Sequence, residues 1–280
     1  MSNDNFIEQL QEIYNKGDVV PFIGAGLSIP FNIPNWGDLI RDCAVEMGKG
    51  NENEELVNKI IDINLKKYDY WEAIRMIKHH LVRSDYDIQE YIVNVIKEKV
   101  NYKIDDIKHN YKDLSKYDFN TYLTTNYDHI LMKYIESHVY PTNLKDFNDR
   151  TQILLNNEKE KRILHLHGSI SDVSSIVISN EKYKELYENG QYKKLFSLFT
   201  GVKTFLFIGF SFNDIFIQKI INDNNEFFKS KHYIILSNPS NKEREWLKRE
   251  YNLETIQYDE NNSSHSEEIR KIIDSICKKK

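Results

Sequence analysis

The spacing of apolar residues changes character several times along the chain. Between Asn3 and Asn15, Phe6, Ile7, Leu10, Ile13 and Tyr14 recur three and four residues apart. This predicts an amphipathic helix over residues 3–16, with Gly17 placed to end it. The next apolar residues are contiguous: Val19-Val20-Pro21-Phe22-Ile23 runs into Gly24-Ala25-Gly26, the pattern of a strand feeding a glycine turn. Pro21 counts against a strand, because proline cannot donate to a ladder. From about Trp36 to Leu114 helical spacing returns. Trp36, Leu39, Ile40 and Cys43 share a face, as do Leu56, Ile60 and Ile61, then Trp71, Ile74, Ile77 and Leu81, then Tyr91, Ile92, Val95 and Ile96.

After this region come short apolar runs at Phe119 to Leu123, Ile163 to Leu166, Thr204 to Ile208, Tyr233 to Leu236 and Thr255 to Tyr258. Each ends in a polar or glycine-containing turn, and helical stretches lie between most of them. Such alternation predicts a parallel sheet with helices on its faces. Ligands of such sheets bind outside the carboxyl ends of the strands. The polar clusters Thr124–Asp128, His167-Gly168, Gly209–Ser211 and Ser237–Pro239 fall at those ends.

The 280 residues carry a net charge of −5, which argues against a protein that coats nucleic acid. An apolar fraction of 40% with 12% aromatics predicts a globular chain. Cys43 and Cys277 are the two cysteines, too few for a disulfide framework or a zinc site of several thiolates. The opening MSNDNFIEQL lacks the basic and apolar regions of a secretory signal, and no apolar run approaches the roughly 20 residues that span a bilayer. The expectation is a soluble cytoplasmic protein. The basic tail Lys278-Lys279-Lys280 and the run Lys159-Glu160-Lys161-Arg162 read as solvated, the latter as an exposed turn before a strand. Trp71, Phe205, Phe207, Phe210 and Phe212 read mainly as core.

Gly24-Ala25-Gly26-Leu27-Ser28 is ambiguous by itself. The dinucleotide fingerprint wants a third glycine at the position occupied by Ile29. The segment is either an ordinary tight turn or a bare backbone that a pyrophosphate can approach, with the following N–H groups pointing at the anion. Asn126 offers an amide donor and acceptor, or caps a helix beginning near Tyr127. His167 titrates near neutrality and can take a proton, or is a structural histidine at a strand end. His165, two residues earlier, would share its side of a strand, so a His-x-His metal pair is conceivable, but no further ligand is marked. Asp128 either supports Asn126 and a sugar hydroxyl or is an early-helix carboxylate. Ser28 either binds a ligand or caps the helix that follows. Ser211 and Asp214 have capping-box spacing, and Asn238 precedes Pro239, as in a plain turn.

Taken in order, Gly24-Ala25-Gly26-Leu27-Ser28 with Ile33-Pro34, Thr125-Asn126-Tyr127-Asp128, His165-Leu166-His167-Gly168 and Gly209-Phe210-Ser211 resemble the motifs of the sirtuin family. The resemblance covers nearly the whole chain and looks closest to the sirtuin-like domains of bacterial antiphage defence, which are NAD hydrolases. It implies an α/β fold: a Rossmann-like parallel sheet with helices on both faces and a smaller all-helical insert. Residues 1–35 and 116–280 would form the NAD-binding domain and residues 36–115 the insert. It also implies catalytic roles for Asn126, His167 and Asp128. Gly24, Ala25, Gly26, Ser28, Thr125, Gly209, Ser211 and Asn238 would bind NAD, which is substrate, with no metal. The four-cysteine zinc module usual in the deacetylating branch has no counterpart here.

The activity implied is hydrolysis of NAD+ to nicotinamide and ADP-ribose, in abortive infection by NAD depletion. Control would come from homo-oligomer assembly or from a partner such as a helicase-type ATPase or an Argonaute-like protein, without direct nucleic-acid or membrane contact. The alternatives are a module that binds NAD or ADP-ribose without turnover, and an NAD-dependent protein deacylase.

Overall fold

Strands Val19–Ile23 (β1), Thr121–Thr124 (β2), Val139–Asn143 (β3), Lys161–His165 (β4), Thr204–Ile208 (β5), His232–Ser237 (β6) and Leu253–Tyr258 (β7) pair into one sheet. Their order is β3-β4-β2-β1-β5-β6-β7, and every paired neighbour is parallel. The structure is a computed structural model that describes residues 3–135, 139–148, 161–199, 203–211, 215–261 and 263–278. Lys159, Glu160, Phe212, Asp214, Lys279 and Lys280 lie outside the described residues, and with Asp214 goes the expected capping box.

The central strands β1 and β5 are near-continuous apolar runs because both faces of the sheet are covered. Alternate residues belong to opposite cores. Val20, Phe22, Phe205 and Phe207 face one side, under Tyr183, Tyr192, Phe196 and Leu247. Val19, Ile23, Leu206 and Ile208 face the other, under Phe6 and Leu10 of the helix Asn3–Asn15 (α1) and Ile269 and Ile273 of the helix His265–Cys277. Phe22 stacks on Phe207 with centroids 4.7 Å apart and meets Phe210 edge-on. Truncating it to alanine would cost about 3–5 kcal/mol. Pro21 does sit in this central strand. It stands opposite Leu206 of β5, while the ladder to β2 starts only at Phe22.

Four helices, Trp36–Gly48 (α2), Glu54–Lys66 (α3), Tyr70–His80 (α4) and Asp85–Lys99 (α5), fill the connection from β1 to β2. Asn35 and Asp69 cap α2 and α4, and Ser84 with Asp87 forms a capping box on α5. Their core includes Leu39, Ile40, Ile61, Ile74, Ile77 and Ile92, and extends to Tyr127, Ile170 and Ile176 beside the sheet. The buried stripe of α3 is Val57, Ile61 and Leu65, and Leu56 is exposed, one position out of phase with the expected face.

Two further departures concern β3 and β4. The edge strand β3 was not expected. Lys161 and Arg162 are not an exposed turn: they begin β4, where Arg162 pairs with Thr121 of β2 and is buried.

The chain order places the topological switch at β1. After β1 the chain builds β2, β3 and β4 on one side, then crosses to β5, β6 and β7 on the other. A crevice is therefore expected above the carboxyl ends of β1, β2 and β5.

Candidate active site

A cavity of about 910 Å³ opens at that switch point. Of the residues expected at a site, Ala25, Gly26, Ser28, Thr125, Asn126, Asp128, His167, Gly209, Ser211 and Asn238 all line it. Gly24 and His165 do not. Helices α2 and α4 contribute Trp36 and Tyr70, and the segment before the helix Tyr111–Ser115 contributes His109 and Asn110.

The glycines serve first to dock one loop against another. Gly24 N–H donates to the Ile208 carbonyl at 2.9 Å and Gly26 N–H to the Gly209 carbonyl at 2.8 Å. A Cβ on Gly24 would stand 2.6 Å from the Gly209 oxygen, and one on Gly26 2.8 Å from it. Gly209 itself takes a φ of +78°, left-handed backbone that suits glycine. The N–H groups of Leu27 and Ser28 donate to the Gly24 and Ala25 carbonyls. The N–H groups of Gly26, Leu27 and Ser28 thus do not point at an anion as expected. Gly26 N–H is spent on Gly209, those of Leu27 and Ser28 close the 3₁₀ turn Ala25–Leu27, and those of Phe31 and Asn32 close a second, Ile29–Phe31, in place of the expected helix.

Asn126 is buried just past β2. Its Nδ2 donates to the Gly24 carbonyl at 3.0 Å, to Ser28 Oγ at 3.1 Å and to Tyr111 Oη at 3.3 Å. A carbonyl can only accept, so the nitrogen must face Gly24. That leaves Oδ1 buried and without a hydrogen-bond partner within the protein, on a residue that lines both the large cavity and a small void beside His165. Asn126 caps no helix, since the next one is Ile130–Tyr134, and Asp128 Oδ1 accepts from Ile130 N–H at 3.0 Å. Ser28 likewise makes no side-chain cap. Its hydroxyl donates to Asp128 Oδ2 at 2.7 Å. Burial raises the Asp128 pKa, and the bonds from Ser28 and Ile130 oppose that rise.

His165 and His167 part company because β4 ends at His165. His165 Nδ1 lies 2.9 Å from the Asn126 carbonyl, so that nitrogen carries the proton. Its ring lines a small separate void beside His129. His167 turns into the large cavity. Its backbone is braced where Val177 N–H donates to its carbonyl at 2.9 Å. Next to it Gly168 has φ +83°, and a Cβ there would lie 2.1 Å from the Ser175 oxygen. Burial pushes the pKa of His167 down to about 3 and of His165 to about 4, so both rings are neutral at pH 7. Among the described residues no group of three or more His, Cys, Asp or Glu could hold a metal ion. No helix among them is long and apolar enough to cross a membrane.

At the far end of the crevice Asn238 adopts φ +43°, and its N–H donates to the Tyr258 carbonyl at 2.9 Å, tying the ends of β6 and β7. Tyr111 is the central residue that the motifs did not mark. It approaches from the start of the helix Tyr111–Ser115, and no local pattern distinguishes it from a core tyrosine.

Residues 120–256 match the SIR2-like domain family. The chain is 30% identical over 228 residues to the NAD(+) hydrolase ThsA of Enterococcus faecium, covering 80% of this chain and 43% of that protein. It is 26% identical to the ThsA of Cytobacillus dafuensis, with 77% and 40% covered, and 25% identical to that of Bacillus cereus, with 78% and 42% covered. The chain thus spans less than half the length of these relatives. A solved structure concerned with the mechanism and regulation of Sir2 enzymes aligns over 96% of each chain, at 14% identity and a TM-score of 0.45.

Proposed function

We propose that this chain, which carries a SIR2-like domain, is an NAD+ glycohydrolase whose crevice at the switch point binds NAD+ and directs one water at the ribose. The observation that carries the reading is the Asn126 carboxamide. Its nitrogen is held inward by three acceptors, and its buried oxygen is left to accept from a ribose hydroxyl or a water in the cavity. The names of the relatives point the same way. The volume is within the range of cofactor sites.

In the reaction the bond from C1′ of the ribose to the nicotinamide nitrogen breaks. Its electron pair neutralises the pyridinium, and a water oxygen bonds to C1′. One water proton is released. Asn126 Oδ1 orients that water or the ribose, and neutral His167 accepts a proton from either. Asp128, backed by Ser28, holds a second ribose hydroxyl. Ala25, Gly26, Ser28, Thr125, Gly209, Ser211 and Asn238 line the path of the dinucleotide, and Gly24 shapes its loop from behind by docking on Ile208.

Residues 36–115 are taken as a module inserted into a sheet domain formed by 1–35 and 116–280. Activity is controlled by homo-oligomer assembly or by a partner protein, since constant hydrolysis would harm the host, and the setting is antiphage defence in the cytoplasm. Incubation with NAD+ in ¹⁸O-water tests the chemistry. One ¹⁸O at C1′ of ADP-ribose, with free nicotinamide, is expected. A rise in melting temperature with NAD+ but no product would instead mean a binding module.

A further inference from the structure

The Tyr111 hydroxyl is buried beside the two side chains to which the proposed hydrolysis assigns chemistry, and the protons in that cluster can be placed by elimination. Ser28 has one hydroxyl proton, and it goes to Asp128 Oδ2 at 2.7 Å. The equally short contact of 2.7 Å between Ser28 Oγ and Tyr111 Oη therefore has Tyr111 as donor. Ser28 keeps one lone pair for Asn126 Nδ2, and the Tyr111 oxygen takes the longer branch of the same N–H. The chain of protons runs one way, from Tyr111 to Ser28 to Asp128.

We infer that Tyr111 is a positioning residue: its hydroxyl heads this one-way chain and leaves the Asn126 amide a single orientation, with Oδ1 toward the cavity. An amide turned by 180° would set Oδ1 against the Gly24 carbonyl and against two oxygens whose protons are already committed. A freely rotating serine hydroxyl could turn its proton to the amide oxygen and offset part of the clash with Gly24, and Tyr111 removes that freedom by fixing which way the Ser28 proton points. The ring is held so that the hydroxyl cannot swing away. It stacks on Tyr134 with planes 11° apart and meets Phe31 edge-on at 5.6 Å. On the same short helix, buried Asp113 is gripped by Arg270 Nε at 2.9 and 3.0 Å.

This inference rests on the hydrolase reading, and its test separates the two. Tyr111→Phe keeps the ring and deletes the hydroxyl. The rate of nicotinamide release at saturation should fall about tenfold while KM for NAD+ stays within about twofold, the signature of a lost orientation and not of lost binding. An unchanged kcat, or a loss carried by KM, overturns the inference. A second readout does not need turnover. The Asn126 side-chain amide, identified in ¹⁵N spectra as the pair missing from Asn126→Ala, should exchange its protons at least about fivefold faster in Tyr111→Phe, and an unchanged rate overturns the inference. A wild type that releases no nicotinamide sinks the hydrolase reading, and the exchange rate then decides the role of Tyr111 alone.

Discussion

Asn126 Nδ2 lies 3.0 Å from the Gly24 carbonyl oxygen, across 102 positions of sequence. This bond ties the turn after β2 to the turn after β1 and, together with the chain from Tyr111 through Ser28 to Asp128, sets which end of the amide points away from Gly24. Asn126→Asp keeps the shape but sets a carboxylate oxygen against that carbonyl. Turnover should fall by at least about 10²-fold, and stability by about 1–3 kcal/mol or more, as for a buried group without its partner. Nicotinamide release and urea unfolding on the same sample check both.

Glycine substitutions should separate close packing from backbone strain. Gly168→Ala meets both, with φ +83° and a backbone oxygen 2.1 Å away, and should cost on the order of 3 kcal/mol or more. Gly50→Ala meets strain alone, since nothing lies within 4 Å of its added Cβ, and should cost about 1–2 kcal/mol. Gly24→Ala meets packing alone and should also weaken NAD+ binding, because the loop must leave Gly209. Thermal or urea unfolding gives the order.

Arg270 should matter beyond its modest exposure. It holds buried Asp113 and donates to the carbonyls of Asp106, Ile107 and His109, fixing the wall of the crevice that His109 and Asn110 line. Arg270→Met leaves a buried carboxylate whose remaining cation among the described residues is the half-exposed Lys116, and should cost about 3–5 kcal/mol. The reverse removal, Asp113→Asn, should cost less, because Arg270 keeps its carbonyls. Equal losses in urea unfolding would contradict this.

Acid should destabilise the fold through its buried histidines. Burial lowers His167 to about 3, and His165 and His232 to about 4. Above the unfolded value of about 6.5 these rings are neutral in both states and contribute no pH dependence. Below it the unfolded chain takes up protons that the folded chain refuses, so stability falls with pH until the folded rings titrate near 4 and 3. The slope should approach about 1.4 kcal/mol per pH unit for each such ring. Melting between pH 7 and 5 should show a steep fall, flatter by one ring in His232→Phe.

Much of this architecture was legible because burial on both faces leaves an unbroken apolar run. β1 and β5 begin and end where the sequence indicates, Pro21 notwithstanding. β3 was not legible: Val139–Asn143 is a short edge strand carrying Pro141 and ending in Thr142 and Asn143, as edges permit. The phase of α3 slipped because Leu56 and Ile60 are as apolar as the Val57, Ile61 and Leu65 that it buries. At the site, most residues carried by the strand-end motifs line one crevice, with Gly24 and His165 outside it. The backbone donors of the glycine loop were misjudged, because bonds internal to that loop and to the loop after β5 leave no trace in spacing. Tyr111 was invisible for a related reason: only the folded sheet brings the helix Tyr111–Ser115 beside Ser28.

The central claim is that Asn126 and His167 act on one substrate in one crevice. Nicotinamide release from NAD+ by the purified protein in its assembled form, for wild type, Asn126→Ala and His167→Ala, tests it most directly. The account predicts turnover by the wild type and a loss of at least about 10²-fold in each variant, with folding retained. A wild type without turnover, or either variant at the wild-type rate, would contradict it.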